Sequence, residues 1–345
     1  MEGTTRNAYD KNCLMPHTPL EAISKYRGEL MGIAMLFVIL FHVGLPRDDA
    51  FFGLRRMGNI GVDYFLFLSG MGLWFSWKKN PGTFRFIARR LTRIYPAWII
   101  AAGTFYISDF LGDRKFSNNI IDLLGDIIFN WDFWLHDELT FWYIPATMML
   151  YVLTPAYIKL ISKYPVYRWL PVAMIMWCVI VQWVTPIHDA VGHLEIFWSR
   201  MPIYFIGVNI GEAVMKRKIL DGSTMILILI IFTMALSTSI YLEQVKHGKF
   251  PLFIERMLYI PLTVTSILLI VHLLQHSQEW IRRIFRTVGA LSLEAYLIHQ
   301  HFVLDYIEKL HWHYWFTFMT CVAVTLPFAW ALRWITNLRI RKTTK

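Results

Sequence analysis

His42 and Asp63 are chemically active side chains that stand inside apolar stretches of the sequence. His42 lies roughly 18 Å along a helix from Leu30, and Asp63 lies roughly 21 Å from Trp77 on a helix that runs back. The two therefore reach similar depths, and a carboxylate beside a histidine fixes its tautomer and stabilises its imidazolium. This pattern predicts a general base at His42 that is oriented by Asp63. The alternatives are an interfacial histidine and an aspartate that caps its helix or pairs with a cation.

A run of arginines follows these two segments. Arg85, Arg89, Arg90 and Arg93 stand close together in the chain, and Tyr95 comes directly after them. On a helix Arg85, Arg89 and Arg93 share one face, and guanidinium groups bind phosphates through bidentate, charge-assisted hydrogen bonds. The segment is thus a candidate phosphate site. A topology signal that contacts anionic lipid is the alternative.

Other polar and aromatic residues indicate a pocket and its outer rim. Glu294 and His299 lie within an apolar run, which predicts that they line a pocket; helix-packing polarity is the alternative. Trp142 and Arg200 stand near the starts of two further apolar runs and predict a rim that binds an acceptor. Residues 188–195 hold two histidines and two acids, but their spacing matches no standard ligand pattern, so no metal is predicted.

The elements that carry these residues are predicted to cross a membrane. Hydrophobic residues make up 56% of the 345-residue chain, charged residues 17%, and the mean hydropathy is +0.43. A soluble domain is nearer about 45–50% apolar and ~25% charged. Ten runs approach the ~20 residues that a helix needs to cross a bilayer. They are 30–45, 60–77, 94–111, 141–160, 170–185, 202–214, 225–242, 257–274, 289–307 and 315–334.

Basic residues determine the predicted orientation of these spans. Every loop on one side carries lysine or arginine, whereas the long loop 112–140 on the other side is rich in acids. By the positive-inside rule both termini are cytoplasmic. The predicted fold is an all-α, polytopic integral membrane helical bundle of about ten transmembrane helices in the inner or plasma membrane. It has a cytoplasmic tail at 1–29, a membrane domain at 30–335 and a basic cytoplasmic tail at 336–345.

The net charge of +10 is explained by these cytoplasmic loops, so nucleic acid is not a predicted partner. Three scattered cysteines are too few for a disulfide framework.

Four blocks of the sequence resemble, in order, the membrane acyltransferase family 3, the integral-membrane O-acyltransferases. The resemblance covers about 23–334, and one of its blocks is similar to the family's Leu-Gly-x-x-Ser-x-x-x-Tyr-Leu-x-His ending. The blocks are Leu40-Phe41-His42, the run from Gly61-Val62-Asp63 to Ser69-Gly70, the arginine run that ends Arg93-Ile94-Tyr95-Pro96, and residues 289–299.

The resemblance implies acetyl-CoA or another acyl-CoA as the cytoplasmic donor, and a carbohydrate or glycolipid as the acceptor. It implies that His42 is the essential base or acyl relay and that the arginine run holds the CoA phosphates. Many members place an arginine eleven positions before the histidine, where this chain has Met31, and Arg27 one turn earlier is the predicted replacement.

The resemblance also completes the list of predicted partners and substrate contacts. Membrane lipid and other proteins of envelope-glycan biosynthesis are the further partners that it implies. The residues predicted to contact substrate are Arg27, Ser69, Trp142, Arg200, Glu294 and His299.

Two other classes of membrane protein share some of these features. A secondary transporter or flippase for a glycan or acyl compound also surrounds a cavity with intramembrane histidine and aspartate, although no inverted repeat is visible. A polysaccharide polymerase would have a longer outer loop than 112–140. Modification of an acceptor that depends on a donor separates the acyltransferase from both.

Overall fold

Long apolar helices make up most of the chain in the computed structural model, which describes residues 18–136, 138–247 and 249–343. Two short strands, β1 (Thr18–Pro19) and β2 (Ile219–Leu220), pair antiparallel. The helices are α1 (Glu21–Lys25), α2 (Arg27–His42), α3 (Phe52–Arg56), α4 (Ile60–Lys79), α5 (Thr83–Leu111), α6 (Ile120–Phe129), α7 (Trp131–Leu135), α8 (Tyr143–Lys163), α9 (Leu170–Trp183), α10 (Thr185–Val191), α11 (Glu195–Met215), α12 (Gly222–Val245), α13 (Leu252–His276), α14 (Glu279–Ala290), α15 (Ser292–Ile298), α16 (Asp305–Ile307) and α17 (Tyr314–Thr343). A π-helical turn, His299–Leu304, joins α15 to α16.

Each of the ten predicted spans contains helix, and the chain is an α-helical membrane protein. In the described part of the chain, six helical stretches are long and apolar enough to cross a membrane. They are Thr83–Leu111, Tyr143–Lys163, Pro165–Trp183, Gly222–Val245, Phe253–His276 and Tyr314–Asn337. The other four predicted spans correspond to α2, α4, α11 and the stretch from α15 to α16. These four carry His42, Asp63, Arg200 and His299; α2 is only 16 residues long, and the ninth predicted span is divided into short helical pieces.

The central helices α4 and α11 pack through glycines. α4 is buried without a break from Ile60 to Met71, so little of this stretch faces lipid. A Cβ added at Gly70 would lie 2.3 Å from the carbonyl oxygen of Tyr204, and one added at Gly207 would lie 2.2 Å from the carbonyl oxygen of Phe67. Small residues that let two backbones approach closely are typical of membrane helix pairs.

The same kind of contact joins α2 to α14. A Cβ on Gly32 would lie 1.9 Å from the carbonyl oxygen of Phe285, and a Cβ on Gly289 would lie 1.9 Å from the carbonyl oxygen of Gly28. The helix breaks at Leu291, between α14 and α15, just after the start of the predicted ninth span. α14 is held against the start of α2, and the remainder of the predicted span enters the bundle beside the site.

The segment between α5 and α8, which contains the predicted outer loop 112–140, folds back against α5. The indole Nε1 of Trp98 donates to the carbonyl of Ile127 at 2.8 Å, and the hydroxyl of Tyr95 donates to the carbonyl of Ile128 at 2.9 Å. Tyr95 lies roughly 24 Å along the helix from the end of α5 at Leu111. This segment is therefore re-entrant, which membrane proteins tolerate where the backbone is buried in protein.

α6 fits this position because it is amphipathic. Ile120, Ile121 and Leu124 are exposed, while the buried carboxylate of Asp126 accepts a hydrogen bond from Ser117 at 2.7 Å. The chain then turns into the bundle at Phe141, whose φ of 55° is uncommon for a residue other than glycine. The turn places the start of α8 inside the bundle rather than at its surface.

The end of the predicted N-terminal tail is docked on the bundle. Leu20, Ile23 and Tyr26 are buried, and the hydroxyl of Thr18 lies 2.9 Å from Nδ1 of His272 on α13. Residues 1–17 of the predicted tail lie outside the described residues. At the other end α17 continues to Thr343, past the predicted boundary at 335, and residues 344–345 are not described.

Replacing Gly32 by alanine should lower the thermal stability of the detergent-solubilised protein. The added methyl group meets the backbone of α14, which cannot move aside as a side chain can, and overpacking of this kind costs about 1–3 kcal/mol. The measurement is the midpoint of thermal aggregation. Gly103→Ala is the matched control, since a Cβ there meets nothing within 4 Å. Equal midpoints for the two variants would contradict the close contact of α2 and α14.

Candidate active site

A narrow cavity of about 100 Å³ lies among α2, α4, α5, α8 and α15. Its lining includes Arg27 from α2, Ser69 from α4, and Arg90 and Arg93 from α5. Among the described residues that line it, none is an aspartate or glutamate. Three guanidinium groups thus share a cavity without a carboxylate, which makes it a site for an anion.

Arg27 shows most clearly that this charge is not neutralised. Its guanidinium lies flat against Gly72 of α4, where an added Cβ would come within 2.9 Å of Cζ. Its buried Nε has no hydrogen-bond partner within the described part of the chain. Met31, at the position where the resembling family often has arginine, lines the same cavity one turn further along α2. Arg27 therefore supplies this cavity with the guanidinium that an arginine at position 31 would otherwise supply.

The arginine run divides between the cavity and the surface. Arg90 and Arg93 line the cavity, and Nη2 of Arg90 also donates to the hydroxyl of Ser76. Arg85 and Arg89 are exposed and do not line it, so the predicted face of Arg85, Arg89 and Arg93 is not the face that the structure uses. Helical spacing allows either Arg85, Arg89 and Arg93 or Arg90 and Arg93 to share a face. The positions of α2 and α15 place Arg90 and Arg93 in the cavity.

Two tyrosines close the inner end of the cavity. The rings of Tyr143 and Tyr296 have centroids 5.0 Å apart, and the hydroxyl of Tyr296 accepts from the backbone N–H of Tyr143 at 3.4 Å. The ring of Tyr296 is also 5.8 Å from that of His299. The ring of Tyr296 therefore stands between the cavity and His299. Tyr296 belongs to the family-like block 289–299, and Tyr143 stands beside Trp142 at the start of the fourth predicted span, where the sequence predicts an outer rim.

His299 and His42 form a pair with defined tautomers. Nδ1 of His299 lies 2.8 Å from the carbonyl of Tyr296 and 3.2 Å from that of Ala295, so it carries the proton. Nε2 of neutral His299 is then an acceptor, and Nδ1 of His42 lies 3.3 Å from it and 2.8 Å from the carbonyl of Val38. Nδ1 of His42 is therefore protonated, which leaves a lone pair on its Nε2.

The two histidines differ in exposure. His299 is 1% exposed, whereas His42 at the end of α2 is only half-buried. The π-helical turn begins at His299, and such turns recur at functional sites. The imidazole of His42 is therefore partly exposed and has a free Nε2, and the buried imidazole of His299 contacts its other nitrogen, Nδ1. His42 can accept a proton or an acyl group.

Asp63 does not lie beside His42, contrary to the sequence-based expectation. Its carboxylate accepts from Nη1 of Arg200 at 3.1 Å, and Nη2 of Arg200 donates to the side chain of Asn59 at 2.9 Å. Both members of this ion pair are buried, so Arg200 is not at an outer rim. The two predicted depths were similar, but depth along a helix does not say which way a side chain points.

The remaining predicted residues lie at different places. Ser69 lines the cavity, whereas Trp142 is buried next to Tyr143 and is not part of the lining. Glu294 and Tyr95 line a separate groove between α5 and α17. The structure thus brings Arg27, Ser69, Arg90 and Arg93 together, and joins His42 to His299 nearby.

Comparisons with known proteins bear on what this arrangement does. Residues 30–334 match the family described as Acyltransferase domain. A regulator of hypoxia-inducible factor 1 from Caenorhabditis elegans is 33% identical over 172 residues. That alignment covers 39% of this chain and 34% of the relative, so the chain matches about a third of the relative's length. No solved structure matches the chain significantly.

Replacing Asp63 by asparagine should destabilise the protein, because it leaves the buried guanidinium of Arg200 without a counter-ion. Breaking a buried pair from one side costs about 3–5 kcal/mol. The measurement is the thermal midpoint in detergent, and the double variant Asp63→Asn with Arg200→Gln should regain part of the loss. An Asp63→Asn protein that is inactive but as stable as the wild type would instead place Asp63 in the chemistry.

Proposed function

Because the chain belongs to acyltransferase family 3, whose match covers residues 30–334, we propose that it is a membrane O-acyltransferase. It moves an acyl group, acetyl by default, from cytoplasmic acyl-CoA to a hydroxyl of a carbohydrate or lipid-linked glycan. One observation carries the proposal: a cavity with three arginines and no carboxylate ends at two tyrosines, and the ring of one of them, Tyr296, packs against the histidine pair. An anionic donor and a base are the two things that acyl transfer from acyl-CoA needs.

The donor enters with its phosphates against Arg27, Arg90 and Arg93. Guanidinium groups are suited to phosphates because their planar forks donate two hydrogen bonds at once. The cavity of about 100 Å³ is too narrow for a nucleotide, but it suits the extended arm that ends in the thioester. Arg27 and His42 stand at opposite ends of α2, roughly 22 Å apart at 1.5 Å per residue, so the arm must be extended to bring the thioester to His42.

His42 acts through Nε2. This nitrogen takes the proton of the acceptor hydroxyl while the hydroxyl oxygen attacks the thioester carbonyl carbon. The C–S bond then breaks, and the proton passes from Nε2 to the departing thiolate, which leaves as CoA. During this step His42 is an imidazolium, and its Nδ1–H bond to His299 stabilises the charge. His299 is therefore a positioning residue rather than the pocket-lining substrate contact that the sequence predicts.

The acceptor approaches His42 from the side of the bundle opposite to the donor phosphates. The end of α2 is followed by Gly44, whose N–H donates to the carboxylate of Glu308 at 2.7 Å, so this side is bounded by polar loops. With a cytoplasmic donor, that side faces away from the cytoplasm. This orientation supports a cell-envelope glycan as the proposed acceptor and the inner membrane as the proposed location.

Replacing His42 by alanine should abolish transfer while the protein still folds. Loss of a general base lowers the rate roughly 10²–10⁴-fold. His299→Ala removes one of the two acceptors for Nδ1–H and leaves the carbonyl of Val38, so a loss of about 1 kcal/mol, or ~5-fold in kcat, is expected. His299→Gln keeps an acceptor oxygen and should recover most of that loss. The measurement is transfer of radiolabelled acetyl from acetyl-CoA to a glycan or lipid fraction in purified membranes.

The control for folding is the elution profile of each variant in detergent. Transfer near the wild-type rate in a folded His42→Ala protein would refute the assignment of the base. Equal losses of kcat in His299→Ala and His299→Gln would mean that His299 contributes packing and does not orient His42. If no acyl donor gives label that depends on His42, the transporter class becomes the better reading of the cavity.

Replacing Arg27 by glutamine should raise the KM for acetyl-CoA with little change in kcat. The side chain contacts the phosphates in the ground state and the transition state alike, and hydrogen bonds to charged groups contribute about 1.5–3 kcal/mol, or roughly 10–150-fold. Arg85→Gln is the matched control, since Arg85 belongs to the same arginine run but is exposed and outside the cavity lining. Equal effects of the two substitutions would mean that only the overall basic charge of this region matters.

A further inference from the structure

A groove runs between α5 and α17, on the side of α5 away from α8. Its lower part is a cavity of about 1090 Å³, and its upper part is a cavity of about 330 Å³. Neighbouring residues line the two parts on both helices. They are Ile99 and Ile100 on α5, and Arg333 and Leu332 on α17. The two cavities therefore form one groove, with α15 and the π-helical turn as its floor.

The groove changes in character along its length. Arg93 and Arg333 line the lower part together with one carboxylate, Glu294. The upper part is lined almost entirely by apolar side chains, among them Phe302 and Phe328. The distance from Leu91 to Thr104 along α5 is roughly 20 Å. A ligand that fits both parts is a long amphiphile with an anionic end.

The basic end is only partly occupied by contacts within the protein. One Nη nitrogen of Arg333 donates to the carbonyl of Ala290, which leaves its other two nitrogens. Arg93 makes no side-chain hydrogen bond or ion pair among residues 18–136, 138–247 and 249–343. Arg333 also borders an adjoining cavity of about 570 Å³ that carries Arg283 and Arg286. The lower end is therefore net positive, which favours an anionic over a zwitterionic headgroup.

The groove also adjoins the donor cavity. Arg93, Ser292 and Leu293 line both, so these residues form the wall between the cavity and the groove. An occupant of the groove would cover that wall and separate it from the hydrocarbon of the bilayer.

We propose that this groove binds one anionic phospholipid, with its phosphate on Arg333 and an acyl chain along the apolar upper part. The lipid covers the wall that the groove shares with the donor cavity. The charge at one end, the apolar lining at the other and the length between them identify this class of ligand.

Photolabelling tests the proposal without any acyl donor, so its outcome is independent of the proposed transfer reaction. The full chain in detergent is incubated with phosphatidylglycerol that carries a photoreactive diazirine on one acyl chain, and labelled peptides are identified by mass spectrometry. Label should concentrate on the groove-facing parts of α5 and α17. Unlabelled phosphatidylglycerol should compete at roughly tenfold lower concentration than phosphatidylcholine.

Two substitutions test the two ends of the groove independently. Ala331→Trp fills the upper part and should reduce labelling several-fold, whereas Met234→Trp, at an exposed position on α12, should not. Arg333→Gln should keep the labelling but remove most of the preference for phosphatidylglycerol. Arg114→Gln, an exposed arginine elsewhere, should leave the preference unchanged.

Three results would overturn the proposal. Label spread evenly over the lipid-facing helices of the wild type would mean that the groove is not a site. Equal competition by the two phospholipids would show that the groove does not select an anionic headgroup. Displacement of the label by palmitoyl-CoA at lower concentration than by phosphatidylglycerol would assign the groove to the donor's acyl chain. All three are measured on the wild-type protein, so a misfolded variant does not affect them.

Discussion

A guanidinium group inside a membrane protein must have a partner, and this requirement organises the site. Arg200 meets it through its two Nη nitrogens, which pair with Asp63 and Asn59, although its Nε is buried without a partner. Arg27 does not meet it, because its guanidinium makes no hydrogen bond or ion pair within the described residues and no carboxylate lines its cavity. An uncompensated buried charge is expensive. The cavity therefore suits an anion from outside the chain, and the two arginines differ in whether a carboxylate stands beside them.

The helices that carry these groups are held by backbone contact rather than by apolar side chains. α4 approaches α11 through Gly70, and α2 approaches α14 through Gly32, at distances that leave no room for a methyl group. This packing leaves α4 little contact with lipid. Lipid selects hydropathy only on the faces that it touches, whereas α4 is buried over most of its length. His42 and His299 stand on segments outside the six helices that are long and apolar enough to cross a membrane, whereas Arg90 and Arg93 stand on α5, which is one of the six.

The sequence predicts the helical segments, and four of its candidate residues, Arg27, Ser69, Arg90 and Arg93, share one cavity, but it does not show how the side chains are paired. Counting residues along a span gives depth, and depth brought His42 together with Asp63. The same arithmetic places His299 near that level, yet only the packing of α15 against α2 shows which side chain faces His42. The contacts of residues 112–140 are beyond this arithmetic for a related reason. The acids of this segment predict an outer loop but not its packing, in which Asp126 is buried against Ser117 and the segment contacts Tyr95 on α5.

The histidine pair suits a base in an apolar bundle better than a histidine–carboxylate pair would. A carboxylate beside His42 would be a fixed charge in the resting protein and would need its own counter-ion, as Asp63 needs Arg200. His299 is neutral in the tautomer that its two carbonyl contacts set, so the resting pair carries no charge. Charge arises only when Nε2 of His42 takes a proton, and the hydrogen bond through Nδ1 then strengthens. In the proposed reaction the permanent positive charges stay at the donor's phosphates, and the transient one forms where the bond is made.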